Sequence, residues 1–212
     1  MRFSNRAEAG RQLARQLRGH LPVDTVVLGL PRGGVPVAAE VARAFGLPLD
    51  VIVVRKVGLP FHPELAMGAI GEGDVTVVDR RVMDGNRITP EVFARVEHVE
   101  RAELNHRATL LRQGHDRLDL EGRAALIVDD GIATGSTARA ACAVARAHGA
   151  RTVIVAAPVA PNDAESRITP EADEVHVVLS PKLFGAVGQF YDDFAAVPDD
   201  EVARLLADQD RT

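Results

Sequence analysis

Short runs of β-branched and other apolar residues alternate along this chain with alanine-rich stretches of helical period, and few folds accommodate that rhythm. The runs are TVVLGL (25–30), LDVIVVR (49–55), DVTVVD (74–79), AALIVDD (124–130), RTVIVAAPV (151–159) and EVHVVLS (174–180). Between them lie VPVAAEVARAFG (35–46) and STARAACAVARAHG (136–149). A strand with one wet face alternates apolar and polar residues, whereas a strand apolar on successive residues must be covered on both sides. Strands separated by helices join through crossovers and run parallel. The expected fold class is therefore α/β, a doubly wound, mainly parallel sheet in one domain. Its core is expected over about residues 22–160, with appendages from 1–21 and 161–212.

Composition removes several functions. The 212 residues are 46% hydrophobic and 26% charged, ordinary for a globular domain of this size. A formal charge of −5 leaves no composition-level basis for neutralising a run of phosphates, so no nucleic acid partner is expected. No apolar run approaches the roughly 20 residues that span a bilayer, and no membrane role is expected. The opening MRFSNRAEAGRQLARQL has mixed charge and no apolar segment with a cleavage site, so a cytoplasmic location is the expectation. The single cysteine, Cys142, sits among alanines and reads as a packed small side chain.

The chemistry concentrates in ALIVDDGIATGST (125–137), where a buried strand runs into two acids, two glycines and three hydroxyl side chains. At the C-terminal end of a strand in an open α/β sheet, this is the place where ligands bind. Gly131 and Gly135 permit a tight loop, so the amides of Ile132, Ala133, Thr134, Gly135, Ser136 and Thr137 can converge on an anion at a helix N-terminus. Asp129 and Asp130 serve the opposite need, accepting from vicinal hydroxyls or holding a divalent cation through water. A phosphate joined to a diol, as in ribose 5-phosphate, satisfies both halves. No Gly-x4-Gly-Lys-Ser/Thr occurs, which disfavours an ATP-type loop.

This stretch resembles the 5-phosphoribosyl 1-diphosphate (PRPP) signature of type I phosphoribosyltransferases. With GLPRGGVPVA and VVRKVGLPFHPELAMGAIGEG, it is also similar to bacterial stand-alone phosphoribosyltransferase-like proteins of unassigned acceptor. The resemblance implies transfer of the phosphoribosyl group from PRPP to a nitrogenous, nucleobase-like small-molecule acceptor, with release of pyrophosphate. It also implies Mg²⁺ held by ligand oxygens and water, with Asp129 and Asp130 as possible contacts, and a homodimer. Asp129 and Asp130 would hold the ribose hydroxyls and act in catalysis, and residues 132–137 the 5′-phosphate. Ala133 stands where the hypoxanthine-guanine enzymes carry an aspartate near the purine, so a 6-oxopurine acceptor loses support. A PRPP- or nucleotide-sensing regulator of the same fold is the alternative.

By the same resemblance, the turn Pro31, Arg32, Gly33 and Gly34 would take the pyrophosphate, with Arg32 offering a fork of donors. Arg55 and Lys56 would act in catalysis from the base of a Gly- and Pro-rich segment, expected as the mobile loop that closes over substrate. His62 and Glu64 in that segment carry no assigned role. The family's variable hood suggests that terminal segments here form one, with Phe184, Phe190 and Tyr191 lining the acceptor pocket; a clamp on the C-terminus competes with that reading. Finally, TPEVFARVEHVERAELNHRATLLRQG predicts one long amphipathic helix, capped by Thr89, opened by Pro90 and left at Gly114. Its expected apolar stripe is Val92, Val96, Val99, Leu104, Ala108 and Leu111, with Glu97–Arg101 and Glu103–Arg107 as i,i+4 pairs. His98, His106 and His115 suggest no metal site from protein side chains.

Overall fold

The computed structural model describes residues 2–208. Its elements, in chain order, are α1 (Arg6–Gln16), β1 (Thr25–Gly29), α2 (Gly34–Phe45), β2 (Leu49–Val51), β3 (Val54–Leu59), β4 (His62–Gly71), β5 (Thr76–Val78) and α3 (Arg80–Gly85). There follow α4 (Pro90–Arg112), β6 (Ala124–Val128), α5 (Ser136–Ala147), β7 (Thr152–Val159), α6 (Ala164–Ile168), β8 (Glu174–Leu179), a 3₁₀ turn (Val187–Phe190) and α7 (Asp199–Ala207). Five strands pair in parallel in the order β2-β1-β6-β7-β8. The doubly wound parallel sheet expected from the apolar runs is present, except that the run 74–79 supplies β5 of a separate antiparallel sheet; the parallel sheet runs on through β8 to Leu179, past the expected core limit near 160.

Both faces of this sheet are covered. Val27, Leu126, Val128, Ile154 and Ala156 face one side, with residues of α1, α2, α4 and α7. Val26, Leu28, Ala125, Ile127, Val153 and Val155 face the other, with α5. Small residues let the helices lie close. A Cβ on Gly10 of α1 would come within 2.7 Å of both Glu40 Cβ and Val37 O of α2, so the α1–α2 contact requires glycine there. Asn5 starts α1 by accepting from the Glu8 amide at 2.9 Å.

The segment after Lys56 is a correction. Instead of an open loop, it forms an antiparallel sheet, β3-β4-β5, with a register shift around Gly58. Its glycines serve close approach: a Cβ on Gly58 would lie 2.4 Å from Pro63 O, and one on Gly68 2.5 Å from Val77 O. Val57, Leu59, Met67 and Ile70 are buried against Phe93 and Leu104 of α4. Strand pairing thus draws its stability from a helix further along the chain, which no local window of sequence displays.

Helix α4 is the expected long element, with Thr89 capping, Pro90 in the first turn, and Gln113 in a left-handed conformation (φ 47°) just before Gly114. Its buried line is Phe93, Leu104, Ala108 and Leu111, with Val96 half-buried. Val99 is instead 67% exposed and Val92 is not part of the core. Glu97 and Arg101 pair at 2.8 Å, whereas Arg107 reaches the Pro31 carbonyl at 3.4 Å.

The end of α4 is tied down by a buried ion network. Arg112 donates from Nη1 to Asp50 Oδ1 at 2.8 Å, from Nε to Glu72, and from Nη2 to the Val51 carbonyl at 3.1 Å. Asp50 also accepts from the Leu118 amide at 2.8 Å. This network joins the long helix, the edge strand β2 and the hairpin. Removing one partner of a buried pair leaves the other charge uncompensated. Arg112→Ala is expected to lower unfolding stability by about 3–5 kcal/mol, read from urea denaturation followed by circular dichroism.

Candidate active site

The strand order places a topological switch between β1 and β6. From β1 the chain crosses by α2 to β2 on one side, and from β6 by α5 to β7 on the other, with the two helices on opposite faces. The loops leaving β1 and β6 therefore diverge, opening a crevice at the strands' C-terminal ends.

The loop after β6 bends at Gly135 (φ 78°), which precedes α5. It surrounds a hollow of about 160 Å³ lined by Asp129, Thr134, Gly135 and Thr137, among others. Among the described residues, the amides of Ala133, Thr134, Gly135 and Thr137 donate to no protein acceptor. Thr134 and Ser136 hydroxyl oxygens lie 3.0 Å apart at the rim. Amides without partners and clustered hydroxyls at a helix N-terminus suit an anion. Ile132 departs from expectation: its amide donates to Val159 O at 2.9 Å and its side chain is buried, so it anchors the loop instead of lining it with a donor.

Asp129 and Asp130 stand side by side above β6. Asp129 Oδ1 accepts from the Asp130 amide at 2.9 Å, and Asp130 Oδ2 accepts from Arg6 Nε at 2.8 Å. Burial, then the neighbouring Asp130 charge, pushes the Asp129 carboxyl up to about 8. Burial raises Asp130 as well, with Arg6 opposing the shift. Both carboxyls thus resist ionisation, and an arriving cation or a set of hydroxyl donors favours the ionised form.

The loop after β1 leans directly on these acids. A Cβ on Gly33 would lie 1.9 Å from Asp130 Oδ2, and one on Gly34 would lie 2.4 Å from Val128 O. Only glycine permits that approach. The Pro31–Arg32 peptide is cis. Arg32 makes a loose, exposed pair with Asp199 at 3.6 Å, which leaves its guanidinium open to a ligand. Lys56 points at the phosphate-type loop, its Nζ 3.4 Å from Ser136 Oγ and 3.6 Å from Glu64. Arg55, next to it on β3, turns to Glu100 of α4 at 2.5 Å. A cleft of about 430 Å³ between the hairpin, α4 and the start of α5 is lined by both cations and by Thr137.

Residues 3–195 match the family described as "Phosphoribosyl transferase domain". The chain belongs to the phosphoribosyl transferase family. Two Mycobacterium tuberculosis proteins, from strains CDC 1551 / Oshkosh and ATCC 25618 / H37Rv, bear the name "Putative phosphoribosyl transferase". Each is 53% identical over 204 residues, 96% of this chain. The match covers 46% of each relative, so this chain spans less than half of their length. The crystal structure of TT1426 from Thermus thermophilus superposes with a TM-score of 0.91 at 42% identity, covering 99% of both chains. A purine phosphoribosyltransferase from Pyrococcus horikoshii Ot3 shares the fold, with a TM-score of 0.50 at 17% identity over 91% of this chain and 92% of that one.

Within this phosphoribosyl transferase domain, sequence reasoning misses Arg6 and assigns Arg107 and Tyr191 to other tasks. Arg6 pairs with Asp130, donates to Ala195 O at 2.7 Å, and lies 4.0 Å from the Phe194 ring centre. Arg107 reaches the carbonyl of the Pro31 turn. Tyr191 corrects an expectation: it is 1% exposed, its hydroxyl donates to Asp130 O at 2.6 Å, and its ring packs on Phe3. That is a brace on the acid pair, with no face left for an acceptor. Phe184 and Phe190 do stack on each other at 5.6 Å and stay half-buried. They neighbour Val187, whose methyl would lie 2.4 Å from a Cβ on Gly131.

The raised Asp129 carboxyl has a consequence for stability. Its folded value near 8 exceeds the unfolded value of about 3.9, so the native state holds the extra proton and stability falls as pH rises from about 4 to about 8. Asp129→Asn keeps an oxygen for the Asp130 amide and removes the charge. Its melting temperature is expected to exceed wild type at pH 8, with the gap closing toward pH 4; parallel melting curves across that range would remove the buried charge as the cause.

Proposed function

We propose that this domain transfers the 5-phosphoribosyl group from PRPP to a nitrogenous, nucleobase-like acceptor, releasing pyrophosphate. The observation that carries the reading is the juxtaposition of unpartnered amides around a phosphate-sized hollow with the Asp129 carboxyl at its edge and Asp130 next to it in the chain. The amides of Ala133, Thr134, Gly135 and Thr137, with the Thr134, Ser136 and Thr137 hydroxyls, hold the 5′-phosphate. Asp129 and Asp130 accept from the ribose hydroxyls and offset positive charge as it grows at C1′. Arg32 and the turn 31–34 take the pyrophosphate, and Lys56 adds a cation from the hairpin. Arg55 is already answered by Glu100, so it contributes only if that pair opens. The acceptor nitrogen forms its bond to C1′ as the bond to the pyrophosphate oxygen breaks, without a covalent enzyme intermediate. Phe184 and Phe190 remain the candidates for a stacking surface near the acceptor.

The donor set fits Mg²⁺. Asp130 Oδ2 is committed to Arg6, which leaves hard oxygens of Asp129 and Asp130 to meet the ion directly or through water, and Mg²⁺ commonly keeps water and phosphate ligands. When bound, it supplies charge neutralisation to the departing pyrophosphate.

Titration calorimetry with PRPP and Mg²⁺, followed by pyrophosphate release across a panel of bases, tests the reading. Binding plus release with one acceptor is the expected result. Asp129→Asn and Asp130→Asn are each expected to weaken PRPP binding or turnover by about 10- to 100-fold. Tight PRPP binding with no release for any acceptor would favour the sensing reading, and no PRPP binding would overturn both.

A further inference from the structure

At the end of α1 opposite Arg6, a group of side chains stands apart from the chemistry above. His20 lies in the turn after α1, and its ring packs beside that of His176 on β8, with centroids 4.9 Å apart and planes at 58°. His176 Nε2 is 2.8 Å from Glu174 Oε2. Glu174 and His176 are two residues apart on one strand and so project to the same face. One nitrogen from each imidazole and one oxygen of Glu174 all lie within 4.8 Å of one another. This is the only such grouping of three among the described residues. Helix α1, 11 residues and so about 16 Å long, separates it from the acid pair that Arg6 touches.

We propose that His20, Glu174 and His176 form a binding site for a divalent transition metal of the zinc class. Two imidazole nitrogens and one carboxylate oxygen match what Zn²⁺ accepts, at about 2.0–2.2 Å each, whereas Mg²⁺ and Ca²⁺ prefer oxygens. Ligand atoms at that radius from a common centre stand about 3.3 Å apart, so small side-chain rotations close the observed cluster around an ion. His176 is 14% exposed in its side chain, while His20 and Glu174 face solvent, which leaves water as the remaining ligand. The bound ion fastens the turn after α1 to β8, the outermost strand of the sheet. Two of the ligands come from that strand and one from the distant turn, so the ion acts as a clip across the chain.

The test uses the full chain stripped of metal by chelator and titrated with Zn²⁺ against a chromophoric competitor, in excess Mg²⁺ to occupy the acid pair. One equivalent is expected to bind with a micromolar or tighter dissociation constant and to raise the melting temperature. His20→Gln and His176→Gln, checked for native circular dichroism, are each expected to weaken that binding at least 10-fold and to abolish the thermal shift. Asp129→Asn is expected to leave zinc binding unchanged, which separates this site from the PRPP reading. Co²⁺ in place of Zn²⁺ is expected to give visible absorption that the His176→Gln variant lacks. Absence of stoichiometric binding, or binding unaltered by both histidine variants, would overturn the proposal.

Discussion

Two carboxylates held side by side at the rim of a parallel sheet repel each other, and the surroundings of Asp129 and Asp130 are organised against that repulsion. The Asp129 amide is tied to Ala156 O at 3.2 Å, continuing the sheet ladder past the end of β6. Asp130 is engaged at its amide by Asp129, at its carbonyl by Tyr191 and at its side chain by Arg6. Arg6 and Tyr191 come from opposite ends of the described chain, and the segments that carry them are joined to each other. Phe3 donates its amide to Phe190 O, and Asp192 donates to Phe3 O, both at 2.8 Å. The terminal segments thus converge on one aspartate.

The neighbouring loop follows the opposite policy. Where the acids are braced, the amides of Ala133, Thr134, Gly135 and Thr137 are left without protein partners, and the loop keeps its shape through Ile132 at one end and α5 at the other. An anion needs donors that are oriented but unspent, and a strand-to-helix turn supplies them with little loss, since water satisfies them until a ligand arrives. Lys56 brings the hairpin into this arrangement, so the short antiparallel sheet stands beside the crevice instead of apart from it.

How far the sequence discloses this depends on how far apart the participants lie. The stretch 125–137 carries strand, acids, glycines and hydroxyls contiguously, so both the fold and the chemical contrast within the motif are legible there. The turn at 31–34 is legible for the same reason. Arg6 and Tyr191 are not, because each meets Asp130 across more than 60 positions and neither belongs to a local pattern. The hairpin reads as a loop in sequence because its glycines suggest freedom in one dimension and close packing in three. On α4, Phe93 replaces Val92 and Val99 in the buried line because the helix packs against that unforeseen hairpin. Nearness along the chain groups Tyr191 with Phe184 and Phe190, yet a single hydroxyl contact assigns it to a different task.

The contact between Gly33 and Asp130 carries a lesson about substitution. With 1.9 Å between a hypothetical methyl and a carboxylate oxygen, the two loops share one volume, and neither can be altered as though the other were absent. A relative that kept both aspartates but bore a side chain at this glycine would have to place its acids elsewhere, however well the rest of the motif aligned. Membership judged by the acidic pair alone would then group together pockets of different shape.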